Sequence, residues 1–329
     1  MEEDMATIVK IEETGASDVM KLVQEHDIAP GPGEVWIEHT AIGVNPLDVT
    51  QRAGQAPLKQ LPSSLGLEGV GKITAVGDGV TNIKVGERAG YMMGALGAYS
   101  SGRLYPAERI IKLPDALSDE DAAALLFKGI TAEYLLTSIY PVNSSSRVLI
   151  YGASGAVGQL MVPWAKKLGA FVIGVVSKEA SLEKAKLAGC DAAFVFDAQS
   201  LPQQVADVTN GKKVDVVYDG LGRISFEASL NSLRPRGLMA SFGITTGVPP
   251  AVEMSTLNAK GSLFVTRPSL AIYTADTAEY QQRAARVLDA YVKGIIKPVV
   301  GHQFSLAEVA KAHDQLQSGH AQGAIILTP

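Results

Sequence analysis

A two-residue period of apolar and polar positions marks the first part of the chain. In "GEVWIEHTAIGVN" (33–45), Val35, Ile37, His39 and Ala41 fall on one face, with Trp36, Glu38 and Thr40 on the other. Successive side chains of a strand point to opposite sides, so this stretch predicts a half-buried strand. Glycines then crowd "GLEGVGKITAVGDGVTNIKVGERAG" (66–90), where β-branched runs such as Lys72–Val76 alternate with turn signals at Gly77, Gly79 and Gly86. Closely curved sheets and small barrels are punctuated in this way. Residues 1 to about 125 therefore read as β-rich.

At "LSDEDAAALL" the period becomes helical. Ser118 and Asp121 approximate a capping box, and a helix is expected through "AAALLFKG", interrupted near Gly129, resuming in "TAEYLLTSI" and ending at Pro141 and "NSSS". From residue 147 to about 266 strand and helix alternate. The nearly continuous apolar runs Val148–Tyr151, Phe171–Val176, Ala193–Phe196, Val214–Tyr218, Leu238–Phe242 and Leu263–Val265 predict a parallel sheet covered on both faces. Helices are expected to begin near Gly155, Leu182, Pro202, Ser225 and Ser255. In the tail, Tyr280, Ala284, Val287, Leu288 and Tyr291 trace one helical face. Ser305 with Glu308 forms a capping box for a second helix, Gly319 is its stop, and "GAIILT" is a last strand. Because this tail does not extend the strand–helix rhythm, it is expected to pack back onto the first domain.

The sharpest chemical signal is "YGASGAVG" (151–158), in which Gly152, Gly155 and Gly158 are spaced three apart. The run leaves one apolar strand, opens a helix and leads to another strand, which is the context a dinucleotide-binding turn requires. Glycine allows the tight turn and a close backbone approach to a diphosphate. Amides around Ser154, Ala156 and Val157, with the positive end of the helix, would face the phosphates. No Gly-Lys-Ser/Thr follows, so the turn is not a kinase-type phosphate loop. At the end of the second strand, where an NAD site places Asp or Glu on the ribose hydroxyls, the chain has Ser177 and Lys178. No carboxylate there repels a 2′-phosphate, and Lys178 could attract one or be a solvated surface lysine. The balance favours NADPH.

Composition narrows the classes. The chain has 329 residues, 47% hydrophobic, with a formal net charge of −5 and no basic block, which argues against a dedicated nucleic-acid surface. Cys190 is the only cysteine, the start "MEEDMATIVKIEETG" is unlike a signal peptide, and no uninterrupted apolar run reaches about 18 residues. A cytoplasmic protein with no membrane span is expected. One cysteine and five histidines give no zinc-ligand set at recognised spacing. His39 reads as a satisfied partner on a strand face and His313 as an ordinary polar group on a helix.

The stretches "AIGVNPLDVTQRAG", "LGLEGVGKITAVGDGV", "KVGERAGY", "GALGAYSSG", "LFKGITAEYLL", "YGASGAVG", "KVDVVYDGLG", "RGLMASFG" and "KGSLFVTRPSL" run in order over nearly the whole chain. With them the sequence resembles the zinc-independent quinone oxidoreductases of the medium-chain dehydrogenase/reductase superfamily, the group of bacterial quinone oxidoreductases and zeta-crystallin. The resemblance implies an α/β fold in which a Rossmann domain with a parallel sheet is inserted in a GroES-like, β-rich catalytic domain. The segments are then 1–126, 127–266 and a returning 267–329, with the cofactor in the interdomain cleft. It also implies a homodimer joined through the Rossmann strand near Leu263–Val265.

Zinc-dependent relatives place a cysteine at the position of Asn45 and a histidine at that of Leu67, so no metal is expected. Without a Lewis acid for an alkoxide, reduction of an electron-poor quinone or conjugated carbonyl is the less demanding chemistry, because the acceptor's own π system spreads the incoming charge. Asn45 matches an Asn near nicotinamide and substrate, and is expected to orient an acceptor oxygen; without the resemblance it reads equally as a turn-stabilising Asn before Pro46. Asp48 matches a position that supports this loop. Thr50 stands where the nearest branch often has Tyr, keeping the hydroxyl and losing the ring. Lys128 and Thr131 match residues beside the ribose and nicotinamide; Phe242, Gly243, Leu221, Val265 and Arg267 are expected to line the cofactor site. The groups that surround the 2′-phosphate in the nearest bacterial pattern fall at Ser181, Phe196 and Gly319, none of which supplies the expected side chain, while Lys178 and His320 lie nearby in sequence. The expected activity is NADPH-dependent reduction of small quinones. Reduction of α,β-unsaturated carbonyls is the alternative, and a nucleotide-bound crystallin-like or RNA-binding protein is the reading from a different class.

Overall fold

A computed structural model describes residues 5–329. The acidic start read at residues 1–4 lies outside the described residues. The chain divides into two units, the first made of residues 1–128, 274–292 and 298–329, the second of 129–273 and 293–297. The division falls two residues later than position 126 and seven later than position 266, and it returns a short stretch, 293–297, to the second unit.

In the first unit the strand Glu34–Val44 is the centre of a seven-stranded sheet. Val35, Ile37, His39 and Ala41 are buried, as the period of two requires, and the strand becomes wholly buried from Ala41 to Val44. It pairs antiparallel with Glu68–Val76 on one side, and on the other with Gly102–Pro106 and Ala324–Thr328. The last strand of the chain thus completes the first sheet, which is why the tail broke the strand–helix rhythm. Val300–Ser305 runs parallel to it at the edge. The strands Met5–Ile11, Lys21–His26 and Ser63–Ser64 form a separate three-stranded sheet. Between these elements lies a core that includes Val9, Ile11, Ile37, Ile73, Tyr91, Tyr99, Leu306 and Ile325.

The second unit holds six parallel strands in the order Ala192–Val195, Phe171–Val176, Arg147–Tyr151, Val214–Asp219, Leu233–Ser241, Phe264–Thr266. In order along the chain that is 3-2-1-4-5-6, the doubly wound arrangement. The direction of winding reverses between Arg147–Tyr151 and Val214–Asp219. Ligands of such sheets bind beyond the carboxyl ends of the strands at this reversal.

Three sequence expectations change. The helix Asp119–Tyr134 runs unbroken through Gly129 and closes in a π-helical turn at Leu135–Ile139. Gly129 is buried, and packing outweighs the roughly 1 kcal/mol by which glycine disfavours a helix. The first Rossmann helix begins at Gly158, three residues after Gly155, because residues 152–157 are a turn. Finally, Asp119–Ile139 is one helix long and apolar enough to cross a membrane by length and composition, and 83% of its apolar window is buried inside the protein. It is assembled around charged residues at its start, so no uninterrupted apolar run announced it.

Candidate functional site

The glycine turn of the second unit has the form its sequence required. Gly152 has φ +65°, a left-handed conformation that favours glycine, and no atom stands within 4 Å of where its Cβ would be. A Cβ on Gly158 would lie 2.1 Å from the Gly152 carbonyl oxygen and 2.7 Å from Ala153 Cα, so only glycine lets the helix Gly158–Lys167 close on the turn. Gly155 donates its amide to Gly152 O at 2.8 Å, and Ala153 donates to Val175 O at 3.1 Å. Among the described residues the amides of Ser154, Ala156 and Val157 donate to nothing else. Three free amides in the turn after the first strand, at the start of a ten-residue helix beside the reversal, are groups that could hold a diphosphate.

Beside it the Val214–Asp219 strand ends in a polar hub. Asp219 is fully buried, and its Oδ1 accepts from the amides of Leu221 and Gly222 at 2.8 and 3.0 Å and from Ser225 Oγ at 2.9 Å. Its Oδ2 accepts from Ser225 Oγ and Ser229 Oγ, each at 2.7 Å, and Ser229 Oγ lies 3.1 Å from the Tyr151 hydroxyl. The main-chain carbonyl of Asp219 accepts from Phe242 and Gly243. The loop after one strand is thereby tied to the loop after the next, and Thr246 adds bonds from its amide and Oγ1 to Leu221 O at 2.8 Å. Leu221, Phe242 and Gly243 are thus brought together at the carboxyl ends of neighbouring strands. Asp219, which organises them, was missed by the sequence reading.

Ser177 and Lys178 are exposed at the end of Phe171–Val176, where no carboxylate caps the strand. Phe196 is half-buried with its ring edge-on to Tyr151 at 5.8 Å, so it belongs to the core as much as to the strand ends. Val265 lies on the edge strand, packed partly against the core, and Arg267 just beyond it is exposed, with Nη1 3.5 Å from Ser241 O.

In the first unit a second polar cluster forms where Glu34–Val44 ends. Asn45 is the residue before a proline and is extended (φ −130°, ψ 153°); Pro46 then opens the helix Pro46–Arg52. Asp48 Oδ2 accepts the Asn45 amide at 2.8 Å. Asn45 Nδ2 donates to Glu68 Oε2 at 3.1 Å, and Lys128 Nζ meets the same oxygen at 3.1 Å. Glu68 Oε1 accepts the Phe127 amide at 2.7 Å. Lys128 is 3% exposed and Glu68 not at all, so the ion pair is buried; the lysine expected to face ribose or phosphate already has a carboxylate partner. Thr131, one turn further along the helix, is also buried. Thr50 Oγ1 donates to Leu47 O at 2.9 Å, so its hydroxyl proton is engaged by the helix itself.

Burial pushes the Asp48 carboxyl up to about 7, against the opposing effects of the Asn45 amide, the Tyr99 phenol and the Lys128 ammonium and with the like charge of Glu68. Tyr99 also approaches His313 Nε2 at 2.9 Å. His313 is fully buried, and its imidazole is lowered to about 3 by burial and by Arg52. It is a core residue, contrary to its reading as an ordinary polar group on a helix; its neighbours Lys311, Asp314 and Gln315 are polar, and its partner is 214 positions away. His39 Nδ1 lies 2.8 Å from Ser100 O and Nε2 lies 2.9 Å from the Tyr91 hydroxyl, and burial lowers it to about 4, so the neutral ring donates to the carbonyl and accepts from the phenol. Leu67 is buried with no metal-binding atom, and among the described residues no three His, Cys, Asp or Glu side chains stand together as a metal site.

Residues 31–115 match the alcohol dehydrogenase GroES-like domain and residues 156–289 the zinc-binding dehydrogenase family. The chain is 40% identical to a quinone oxidoreductase of Pseudomonas aeruginosa, covering 99% of this chain and all of that one. It is 42% identical to a 2-haloacrylate reductase of a Burkholderia species over 92% of each. The crystal structure of Escherichia coli quinone oxidoreductase in complex with NADPH superposes with a TM-score of 0.94 at 38% identity, over 98% of this chain and all of that one. Asn45 and Leu67, which by the resemblance stand where zinc-dependent relatives have cysteine and histidine, lie in the first of these matches. With that substitution and full-length identity near 40%, the chain belongs to the zinc-independent quinone oxidoreductases of the medium-chain dehydrogenase/reductase superfamily.

Proposed function

We propose that the chain reduces small quinones with NADPH, without zinc. The observation that carries this reading is the glycine cradle with three free amides at the reversal of the parallel sheet, followed by a second strand that ends in Ser177 and Lys178 with no carboxylate. The fit is one of charge and space: amides for a diphosphate, open room at Gly152, and a lysine free to meet a 2′-phosphate. The NADPH complex of the Escherichia coli relative supports the same cofactor.

When bound, NADPH supplies the hydride. The amides of Ser154, Ala156 and Val157 would hold its diphosphate, and Lys178 would attract the additional phosphate. Leu221, Phe242 and Gly243, held by the Asp219 hub, would line the cofactor with Val265 and Arg267. The resemblance assigns Asn45, Lys128 and Thr131 polar roles toward the ribose and nicotinamide, and Asp48 fixes the Asn45 loop. The protein's task is to orient two π systems and exclude water rather than to stabilise an alkoxide.

A second acceptor class, α,β-unsaturated carbonyls, is favoured by the 42% identity to a 2-haloacrylate reductase. The two share a conjugated acceptor and differ in where the hydride arrives. A homodimer belongs to this reading: Phe264–Thr266 is an edge strand, and Phe264 on it is 61% exposed. A cytoplasmic location is supported by a single cysteine, Cys190, which is buried.

The test is steady-state turnover with NADPH and NADH against a panel of small quinones and enones. NADPH-dependent quinone turnover is expected, and its absence with every acceptor would overturn the reading. Lys178→Ala should raise the KM for NADPH about tenfold while leaving that for NADH unchanged, the size of one lost charge-assisted contact. Equal effects on both would remove Lys178 from the site.

A further inference from the structure

The geometry points to a second ligand site within the Rossmann unit, a cleft for a small phosphate ester at the edge of the sheet opposite the glycine turn. The cleft has a volume of about 420 Å3 and lies at the amino ends of the strands Arg147–Tyr151 and Phe171–Val176. Cations line it at Arg147, Lys166 and Lys212, apolar surface lines it at Phe171 and Val208, and no lining residue is a carboxylate. Two carboxylates stand behind it without cancelling the charge. Asp191 is taken by Lys166 Nζ at 2.8 Å and by the Val172 amide at 2.7 Å. Asp215 accepts the Arg147 amide at 2.7 Å and is shared by the guanidiniums of Arg147 and Arg234, so two positive charges meet one negative. Lys212 is exposed and has no carboxylate partner among the described residues.

The helices Gly158–Lys167 and Leu201–Val208 both finish beside the cleft, where open carbonyls would favour a cation over an anion. These carbonyls are already served. Those of Trp164, Ala165 and Lys166 accept the amides of Leu168, Ala170 and Gly169. Those of Val205, Ala206 and Asp207 accept Thr209 Oγ1 and the amides of Gly211 and Asn210. The donors left over are Lys212 Nζ, the Asn210 side-chain amide, and the N–H and hydroxyl of Ser144, none of which has an acceptor among the described residues. The turn that presents Asn210 and Lys212 is held rigidly. Lys213 has φ +57°, a conformation costly for a side-chain residue; its amide donates to Thr209 Oγ1 at 2.8 Å and its carbonyl accepts Arg147 Nε at 2.6 Å. Convergent donors in a positive field recognise phosphate. The volume falls within the roughly 300–1,000 Å3 of small-molecule sites, and Phe171 and Val208 offer apolar surface to an organic group on that phosphate.

Phenyl phosphate and inorganic phosphate, titrated into the full chain by calorimetry, test the site. Both should bind, phenyl phosphate the more tightly. Lys212→Glu, a change at an exposed side chain, should weaken phenyl phosphate at least about tenfold, because a charge-assisted contact is replaced by repulsion. Val208→Ser should weaken phenyl phosphate about threefold and leave inorganic phosphate unchanged. Lys178→Glu makes the same charge change at the other edge of the sheet and should alter phenyl phosphate binding far less. No binding to the unmodified chain, equal affinity in the Lys212→Glu chain, or a larger loss in Lys178→Glu than in Lys212→Glu would overturn the inference. Equal affinity of the unmodified chain for the two phosphates would overturn the ester as its ligand.

Discussion

Replacing Asp219 by alanine should loosen the second unit far more than replacing it by asparagine. The carboxylate serves four donor groups: the amides of Leu221 and Gly222 and the hydroxyls of Ser225 and Ser229. In Asp219→Ala the hydroxyls have other acceptors, since Ser225 Oγ lies 3.3 Å from Gly222 O and Ser229 Oγ lies 3.1 Å from the Tyr151 hydroxyl. The two amides have none. A buried donor left without a partner costs about 1–3 kcal/mol, so the pair costs about 2–6 kcal/mol, with Leu221, half-buried, at the low end. Asp219→Asn keeps an oxygen for both amides and sets NH2 against two hydroxyls that can accept, so it should cost about 1 kcal/mol. The chain has two tryptophans, Trp36 in the first unit and Trp164 in the second, so urea unfolding of a Trp36→Phe background followed by fluorescence reports on the second unit alone. The alanine variant should unfold at a lower midpoint with an unchanged slope. Coincident midpoints for Asp219→Ala and Asp219→Asn would refute the reasoning, since the hub would then be dispensable as an acceptor.

Two further predictions follow from geometry and charge. Gly158→Ala brings a Cβ within 2.1 Å of a backbone oxygen, whereas the nearest atom to a Cβ on Gly155 is at 3.2 Å; the first should therefore weaken NADPH binding by at least about tenfold and the second far less, measured by nicotinamide fluorescence. The stability of the first unit should depend on pH through groups of opposite sign. Asp48, raised from 3.8 to about 7, holds its proton in the folded state, so its contribution is greatest at low pH and is lost as pH rises towards 7, by up to about 4 kcal/mol at ~1.4 kcal/mol per unit. His39 and His313, lowered to about 4 and about 3, act the other way: their contribution is present above pH 6.5 and is lost as pH falls towards those values. Thermal unfolding of Asp48→Asn should therefore gain on the unmodified chain between pH 5 and pH 8, and a gap independent of pH would refute the assignment.

What the sequence made legible was local in the chain. The strand 34–44 and the six Rossmann strands were readable because a period of two, or a short apolar run, is complete within a few residues. The glycine turn was readable because its three glycines and the flanking elements occupy about thirty positions, a self-contained unit. Boundaries suffered where glycine has two meanings. At Gly155 it belongs to a turn and not to a helix, and at Gly129 a buried helix absorbs it. The polar networks were not readable. Glu68 meets partners 23, 59 and 60 positions away, and its place in "GLEGVG" gave only the sign that a carboxylate stands among residues otherwise small or apolar. Asp219 carried a better signal, an acid ending an apolar strand before Gly220, and that pattern could have marked it.

The dense glycines of the first unit then acquire a second physical meaning. Read from sequence, they indicated curvature. In the structure, a Cβ on Gly66 would lie 2.4 Å from the Tyr99 ring, on Gly69 2.6 Å from His39 Nε2 and 2.8 Å from the Tyr91 hydroxyl, and on Gly43 within the Glu68 carboxylate. Each glycine makes room for a polar side chain that is buried and hydrogen-bonded. A curved sheet alone would accept alanine at many such places; a sheet that carries His39, Glu68, Tyr91 and Tyr99 inside it cannot, because any shift that relieves the clash strands a buried polar atom. Asn45 and Leu67 are both buried within this packing. The polarity there is supplied by Glu68 and Lys128, and the glycines around them are what allow those charges to be packed against Asn45 at all.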